Sequence, residues 1–218
     1  MIAYNPRRWR DHFFDIRGSM VREIAYRVGG CVLFAIAAEL MYLEGLPVAF
    51  SDKAHLLVGP ALALLLVFRT NSANDRYWEG RRLWGGVVNS ARNLRRKARV
   101  LFVAEPVRAA LVVEWTIAFF WSMRFRLLGR ASLGPTCALP EVAQAKALLA
   151  NSVPLAAADA ITALLDDGRK SGLVSDIQQS LLDADVQALV DHLGGCERID
   201  QTPLPYAYAV HLRRALFL

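Results

Sequence analysis

Cysteine is scarce in this chain. Cys31, Cys137 and Cys196 are the only three among 218 residues, far apart and odd in number. No two stand at metal-ligand spacing, so neither a disulfide framework nor a zinc site is supported. They read as three reduced thiols in apolar surroundings. Histidine is sparse as well, and His12, His55, His192 and His211 are isolated from one another. No glycine-rich loop precedes a helix and no serine sits in a nucleophile elbow, so no catalytic constellation emerges. An enzyme is not expected, and no cofactor is implied. Acidic residues are in deficit, 20 against 26 Lys and Arg, for a net charge of +6. Charged residues make up only 21% and hydrophobic ones 55%, with a mean hydropathy of +0.27. That balance excludes a disordered or acidic solvating chain. It also suits an ordinary small cytosolic enzyme poorly, because so apolar a chain needs more interior than a small globule offers.

What is present is concentrated apolar sequence. Residues 1–23 carry Arg7, Arg8, Arg10, Arg17 and Arg22 among Asp11, Asp15 and Glu23. No short apolar core with a cleavage site follows, so this arm is not a secretory signal. Trp9, Phe13, Phe14 and Ile16 give it an apolar side, as in a helix lying on a membrane surface. From Val28 to Phe50 the sequence is long enough to cross a hydrocarbon core of about 30 Å. Glu44, Gly45 and Pro47 suit the far interface. Glu39 lies deeper and is expected to face a neighbouring helix rather than lipid. After a polar turn, Ser51-Asp52-Lys53, a second apolar run begins at Ala54 and continues into a polar helix. The two spans are set at about residues 24–50 and 54–73. Pro60 inside the second is tolerated in a membrane helix.

Charge orients this hairpin. Arg69, Arg76, Arg81, Arg82, Arg92, Arg95, Arg96, Lys97 and Arg99 face only Asp75 and Glu79 over residues 69–99. Both outer flanks are basic and the turn is nearly neutral, which places the flanks and the N-terminus in the cytoplasm. In residues 74–99, Tyr77, Gly80, Trp84, Val87, Ala91, Leu94 and Ala98 recur at spacings of three and four, the pattern of an amphipathic helix. The opposite, Arg-rich face lacks interleaved aromatics, which argues against a nucleic-acid groove; a surface near lipid headgroups is its plain reading. Ala109–Met123 reads as a buried helix, with a third span as the alternative. Further on, Pro140, Asn151–Pro154 and Gly168–Gly172 read as breaks between helices, and Ser175–Gly194 as an amphipathic helix ended by Gly194-Gly195. There is no strand-like alternation. The fold class expected is an all-α membrane protein, a transmembrane helical hairpin (residues 1–73, with the interfacial helix) plus a cytosolic helical domain (74–214).

Two segments are specific. The first holds Phe68-Arg69-Thr70-Asn71, then Asp75-Arg76-Tyr77-Trp78-Glu79-Gly80-Arg81 and Leu83-Trp84-Gly85. The second holds Glu197-Arg198-Ile199, then Thr202-Pro203-Leu204-Pro205-Tyr206 and His211-Leu212-Arg213-Arg214. With Trp9 and Ile16-Arg17-Gly18-Ser19, they resemble the bestrophin family, its bacterial branch in particular, over Trp9 to Arg214. The resemblance implies a homopentameric ion channel of the bacterial inner membrane. Its neck would be lined by Pro60, Leu64 and Phe68, and its cytosolic aperture by Leu204. The first neck position is bulky in the family and a proline here. Positions 60, 64 and 68 fall on one helix face. Rings of Leu and Phe contributed by several subunits make an apolar constriction that gates by dewetting. Pro203 and Pro205 forbid a regular helix around Leu204; alternatively, Thr202 caps a helix with Pro203 at its first position. In the family further membrane helices follow. This chain stops at Leu218, just as residues 215–218 turn apolar, so truncation before those segments is expected, and with it no calcium site.

The partners expected are further copies of the chain, membrane lipid and small inorganic ions, with no nucleic acid. An apolar neck does not fix the sign of the ion, so chloride and sodium both stay open. The alternative from a different class is a non-conducting membrane scaffold or regulator that binds anionic lipid through the basic helix.

Overall fold

The computed structural model describes residues 21–47, 52–135, 139–202 and 210, and every regular element among them is an α-helix. The N-terminal arm up to Met20, Cys137, the Pro203-Leu204-Pro205 segment and the apolar residues 215–218 lie outside the described residues. Two compact units divide the chain, Met1–Ala61 and Leu62–Leu218.

The first unit contains α1 (Val21–Leu43). Its segment Ile24–Leu43 is long and apolar enough to cross a membrane, and is the one such helix among the described residues. Tyr26, Leu33 and Phe34 stand exposed along it, as lipid-facing or subunit-facing residues would in an isolated chain. Glu39 is exposed too, so the neighbouring helix expected for it is not found within the described part of this chain. The helix stops before Gly45, which has a φ of 82°.

The start of α2 (Asp52–Leu101) also belongs to the first unit, and the helix continues unbroken for 50 residues with Pro60 inside it. The rest of the second unit is α3 (Pro106–Leu127), α4 (Glu141–Leu148), α5 (Val153–Lys170) and α6 (Asp176–Gln201). Its core follows from apolar residues at heptad-like spacing. Val87, Leu94 and Ala98 come from α2; Val112, Phe119 and Met123 from α3; Ile161 and Leu165 from α5; Leu182, Val186, Leu189, Leu193 and Cys196 from α6; all are buried. Ala109–Met123 is thus a core helix of this unit, with eight buried residues along α3. The buried hydroxyls of Thr116 and Ser122 donate to the carbonyls of Val112 and Phe119 at 2.7 and 2.9 Å, so neither leaves an unpaired polar group inside.

Helix boundaries mostly follow the sequence signals. Pro106 and Pro154 sit in first turns, where the missing N–H costs nothing. Ser175 and Gln178 form a reciprocal capping box at the start of α6. The break expected over Gly168–Gly172 comes at the second glycine, and the stop expected at Gly194-Gly195 is absent. Gly168 itself lies buried within α5, where a Cβ would come within 2.4 Å of the Phe102 ring. The turn comes at Gly172, whose φ of 72° suits glycine. Gly194-Gly195 does not end α6, which runs on to Gln201.

Candidate functional site

α2 carries the residues expected at a pore neck. Pro60, Leu64 and Phe68 are exposed, Leu64 at 56% and Phe68 at 49% of full accessibility. Leu62 and Leu65 are half-covered. The division continues down the helix. Ser72, Arg76, Glu79 and Leu83 are half-buried, while Asn71, Asp75, Trp78 and Arg82 are exposed. From Ser72 on, one stripe of α2 therefore packs on the chain's own residues and the stripe in line with Leu64 and Phe68 stays bare; beside those two residues Leu66 and Val67 are exposed as well. Tyr77, expected on the covered side, is exposed and meets Trp78 edge-on at 5.6 Å. The covered side becomes full core only from Val87; Trp84, one turn before it, is half-buried with its ring 5.0 Å from Phe120.

Further along α2 from the expected neck positions, the two sequence segments meet as an antiparallel pair, α2 against α6. Arg76 donates to the carbonyl of Ile199 at 2.6 Å and to that of Thr202. The last carbonyls of a helix have no partner within it and form its negative end, so a guanidinium there is favoured. Glu79 pairs with Arg198 at 2.5 Å. A Cβ on Gly195 would lie 2.7 Å from Leu83, and one on Gly86 would lie 2.3 Å from the His192 ring. Both glycines let the helices approach closely, which is why Gly195 sits inside α6 and does not stop it. At the far end Lys97 pairs with Asp185 at 2.9 Å and donates to the Leu181 carbonyl at 2.7 Å. Glu197 turns the other way, to Arg126 of α3 at 2.5 Å.

Arg76 and Glu79 thereby anchor the end of α6 just before Pro203-Leu204-Pro205. The Thr202 hydroxyl donates back to the Arg198 carbonyl. It serves the last turn of α6, and the helix that Thr202 was expected to cap lies outside the described residues. Arg69, Asn71 and Asp75 are exposed and make no side-chain hydrogen bond among the described residues. The Arg126–Glu197 pair and the Gly86–His192 contact were not anticipated. The charge of Glu197, beside Arg198 in the second segment, was the available signal for the first.

Among the described residues no cluster of His, Cys, Asp or Glu could hold a metal ion. Cys196 is buried, and that burial pushes its thiol pKa up, so it is a packing residue and a poor nucleophile. What the arrangement offers is a bare apolar stretch on one helix and, further along the same helix, a charged and close-packed seam against α6.

The family model for bacterial and fungal bestrophin proteins matches residues 1–218. A relative named voltage-dependent anion channel-forming protein sll1024, from Synechocystis, is 36% identical over 98% of this chain and 71% of its own length. Another so named, alr2987 from Nostoc, is 33% identical over 97% of this chain and 71% of its own. The crystal structure of a bacterial bestrophin homologue from Klebsiella pneumoniae superposes with a TM-score of 0.80 at 31% identity, covering 89% of this chain and 73% of that one. With the two characteristic segments joined through Arg76 and Glu79, the chain belongs to the bacterial and fungal bestrophin family.

Proposed function

We propose that the chain assembles as a homopentamer and passes small monovalent anions, chloride among them, passively across the bacterial inner membrane. The observation that carries this reading is the bare Leu64–Phe68 pair, in line with a face of α2 that stays open through Asn71, Asp75, Trp78 and Arg82 while the opposite side packs on α6. Two apolar side chains one turn apart, unpartnered in the single chain, suit a ring of copies closing on a shared axis. Such rings constrict water and ions without any charged group, and gate by dewetting.

In this reading the spans run over about residues 24–50 and 54–73, the N-terminus is cytoplasmic, and residues 74–214 form the cytosolic domain. Pro60, Leu64 and Phe68 line the neck, with the proline leaving the outermost ring the widest. Leu204, between Pro203 and Pro205, makes the second constriction, held in place through Arg76 at the end of α6. The choice of anion follows the names of the relatives. No covalent step and no cofactor are needed.

The test is chloride flux from liposomes holding the purified chain, together with its mass in detergent. A pentamer that conducts, and conducts more when Leu64→Ala is combined with Phe68→Ala, supports the reading. A monomer, or no flux above empty vesicles from the native chain and the double variant alike, overturns it.

A further inference from the structure

The basic face of α2 is left open by the packing of the described residues. Arg81, Arg82, Arg92, Arg95, Arg96 and Arg99 are all exposed, and none pairs with an acid among the described residues. Lipid headgroups are the ordinary partner for such a face. Helical register and length decide against them for two of these residues.

An α-helix brings the same face round every 18 residues, about five turns. Arg82 follows Leu64 by that interval, so it lies directly along the helix from the neck residue. Asn89 and Arg96 fall within about 40° of the same line, and both are exposed. At about 1.5 Å per residue, Arg82 is about 27 Å from Leu64 along the axis and Arg96 about 48 Å. Half the hydrocarbon core plus one headgroup layer amounts to about 20–23 Å. With Leu64 anywhere in the cytosolic half of the membrane, an upright helix carries both arginines past the headgroups into water. Two acids lie between Leu64 and Arg82: Glu79, engaged by Arg198, and Asp75, on the bare side. The bare face below the neck thus keeps one carboxylate against two guanidinium groups in every copy.

We propose that Arg82 and Arg96, repeated around the axis, ring the water-filled passage on the cytosolic side of the neck and concentrate inorganic anions there, giving the channel its anion preference. This rests on the reading of Leu64 and Phe68 as a shared neck. A charged, partly enclosed passage raises the local concentration of counter-ions by about tenfold or more. The effect depends on ionic strength, because the screening length falls from about 30 Å at about 10 mM salt to about 3 Å at about 1 M.

The test uses the full chain in neutral phosphatidylcholine vesicles, with the reversal potential read in a potassium chloride gradient. Arg82→Glu combined with Arg96→Glu is expected to lower the chloride-over-potassium permeability ratio about tenfold near 10 mM, and less than about twofold near 1 M. Arg82→Gln with Arg96→Gln should fall between this and the native chain, and serves if the Glu pair fails to assemble. Lys146→Glu, a single charge reversal of the same kind on α4, should leave the ratio unaltered. Should the arginine variants keep the native ratio while Leu64→Ala still changes flux, the rings are refuted and the channel stands. A native ratio accompanied by lost binding to phosphatidylglycerol vesicles refutes them in favour of lipid contact. Absence of flux from the native chain removes the neck itself, and this proposal with it.

Discussion

The close approach of α2 and α6 makes a prediction whose sign reverses with context. A Cβ at Gly86 would lie 2.3 Å from Nε2 and 2.4 Å from Cε1 of His192, closer than real side chains come. Two effects oppose each other in Gly86→Ala. Alanine is favoured over glycine inside a helix by about 1 kcal/mol. Forcing a methyl group into a filled space costs about 1–3 kcal/mol. In the native background the variant should therefore lose up to about 2 kcal/mol. In a His192→Ala background the obstructing ring is gone, and the same substitution should gain about 1 kcal/mol. Thermal unfolding in detergent reads both, since 1 kcal/mol moves the midpoint by about 2–4 °C for a chain of this size. The four-member comparison cancels whatever His192→Ala does alone. If Gly86→Ala raises the midpoint equally in both backgrounds, the glycine is not there to admit His192, and the reasoning about this seam fails.

Three further outcomes follow from the same contacts. Arg76→Gln, which strips a charged donor from the Ile199 and Thr202 carbonyls, should cost about 1.5–3 kcal/mol, whereas Glu79→Gln in its exposed pair should cost under about 1 kcal/mol; equal shifts in melting temperature would contradict the capping role. Cys196 should resist N-ethylmaleimide in the native protein and react after denaturation, as read by peptide mass spectrometry; rapid native labelling would contradict its burial. Lys170 and then Arg169 hold the Asp166 carboxyl below the usual carboxylate range. Its folded pKa lies under the unfolded one, so its stabilisation is present above about pH 4 and disappears as pH falls through the lowered value. Asp166→Asn should accordingly melt below the native chain at neutral pH and together with it in strong acid.

Much of the fold could be read from periodicity, and the failures have a common cause. Val87, Leu94 and Ala98 mark the core face of α2 because burial there follows the helical repeat. The same pattern over-extended to Tyr77, since covering that turn depends on where α6 ends, which spacing within α2 does not encode. Gly168–Gly172 and Gly194-Gly195 read as breaks because glycine is a poor helix former; the first holds at Gly172 and the second does not. In the structure the bulk of Phe102 and Leu83 requires small residues at Gly168 and Gly195, and a neighbour on another helix is invisible to local sequence. The candidate site divides likewise. The stripe of positions 60, 64 and 68 is local geometry and was legible. That Arg76 grips the end of α6 required tertiary structure, although both segments stood out in the sequence.

The central claim is that copies of Leu64 surround a water-filled axis. It is tested most directly by placing Leu64→Cys in a chain whose Cys31, Cys137 and Cys196 are changed to serine, and following chloride flux from liposomes as a negatively charged methanethiosulfonate is added. The account predicts that the thiol is labelled from the aqueous phase and that flux falls as it is. A thiol that stays unlabelled in conducting vesicles, or labelling that leaves flux unchanged, would contradict it.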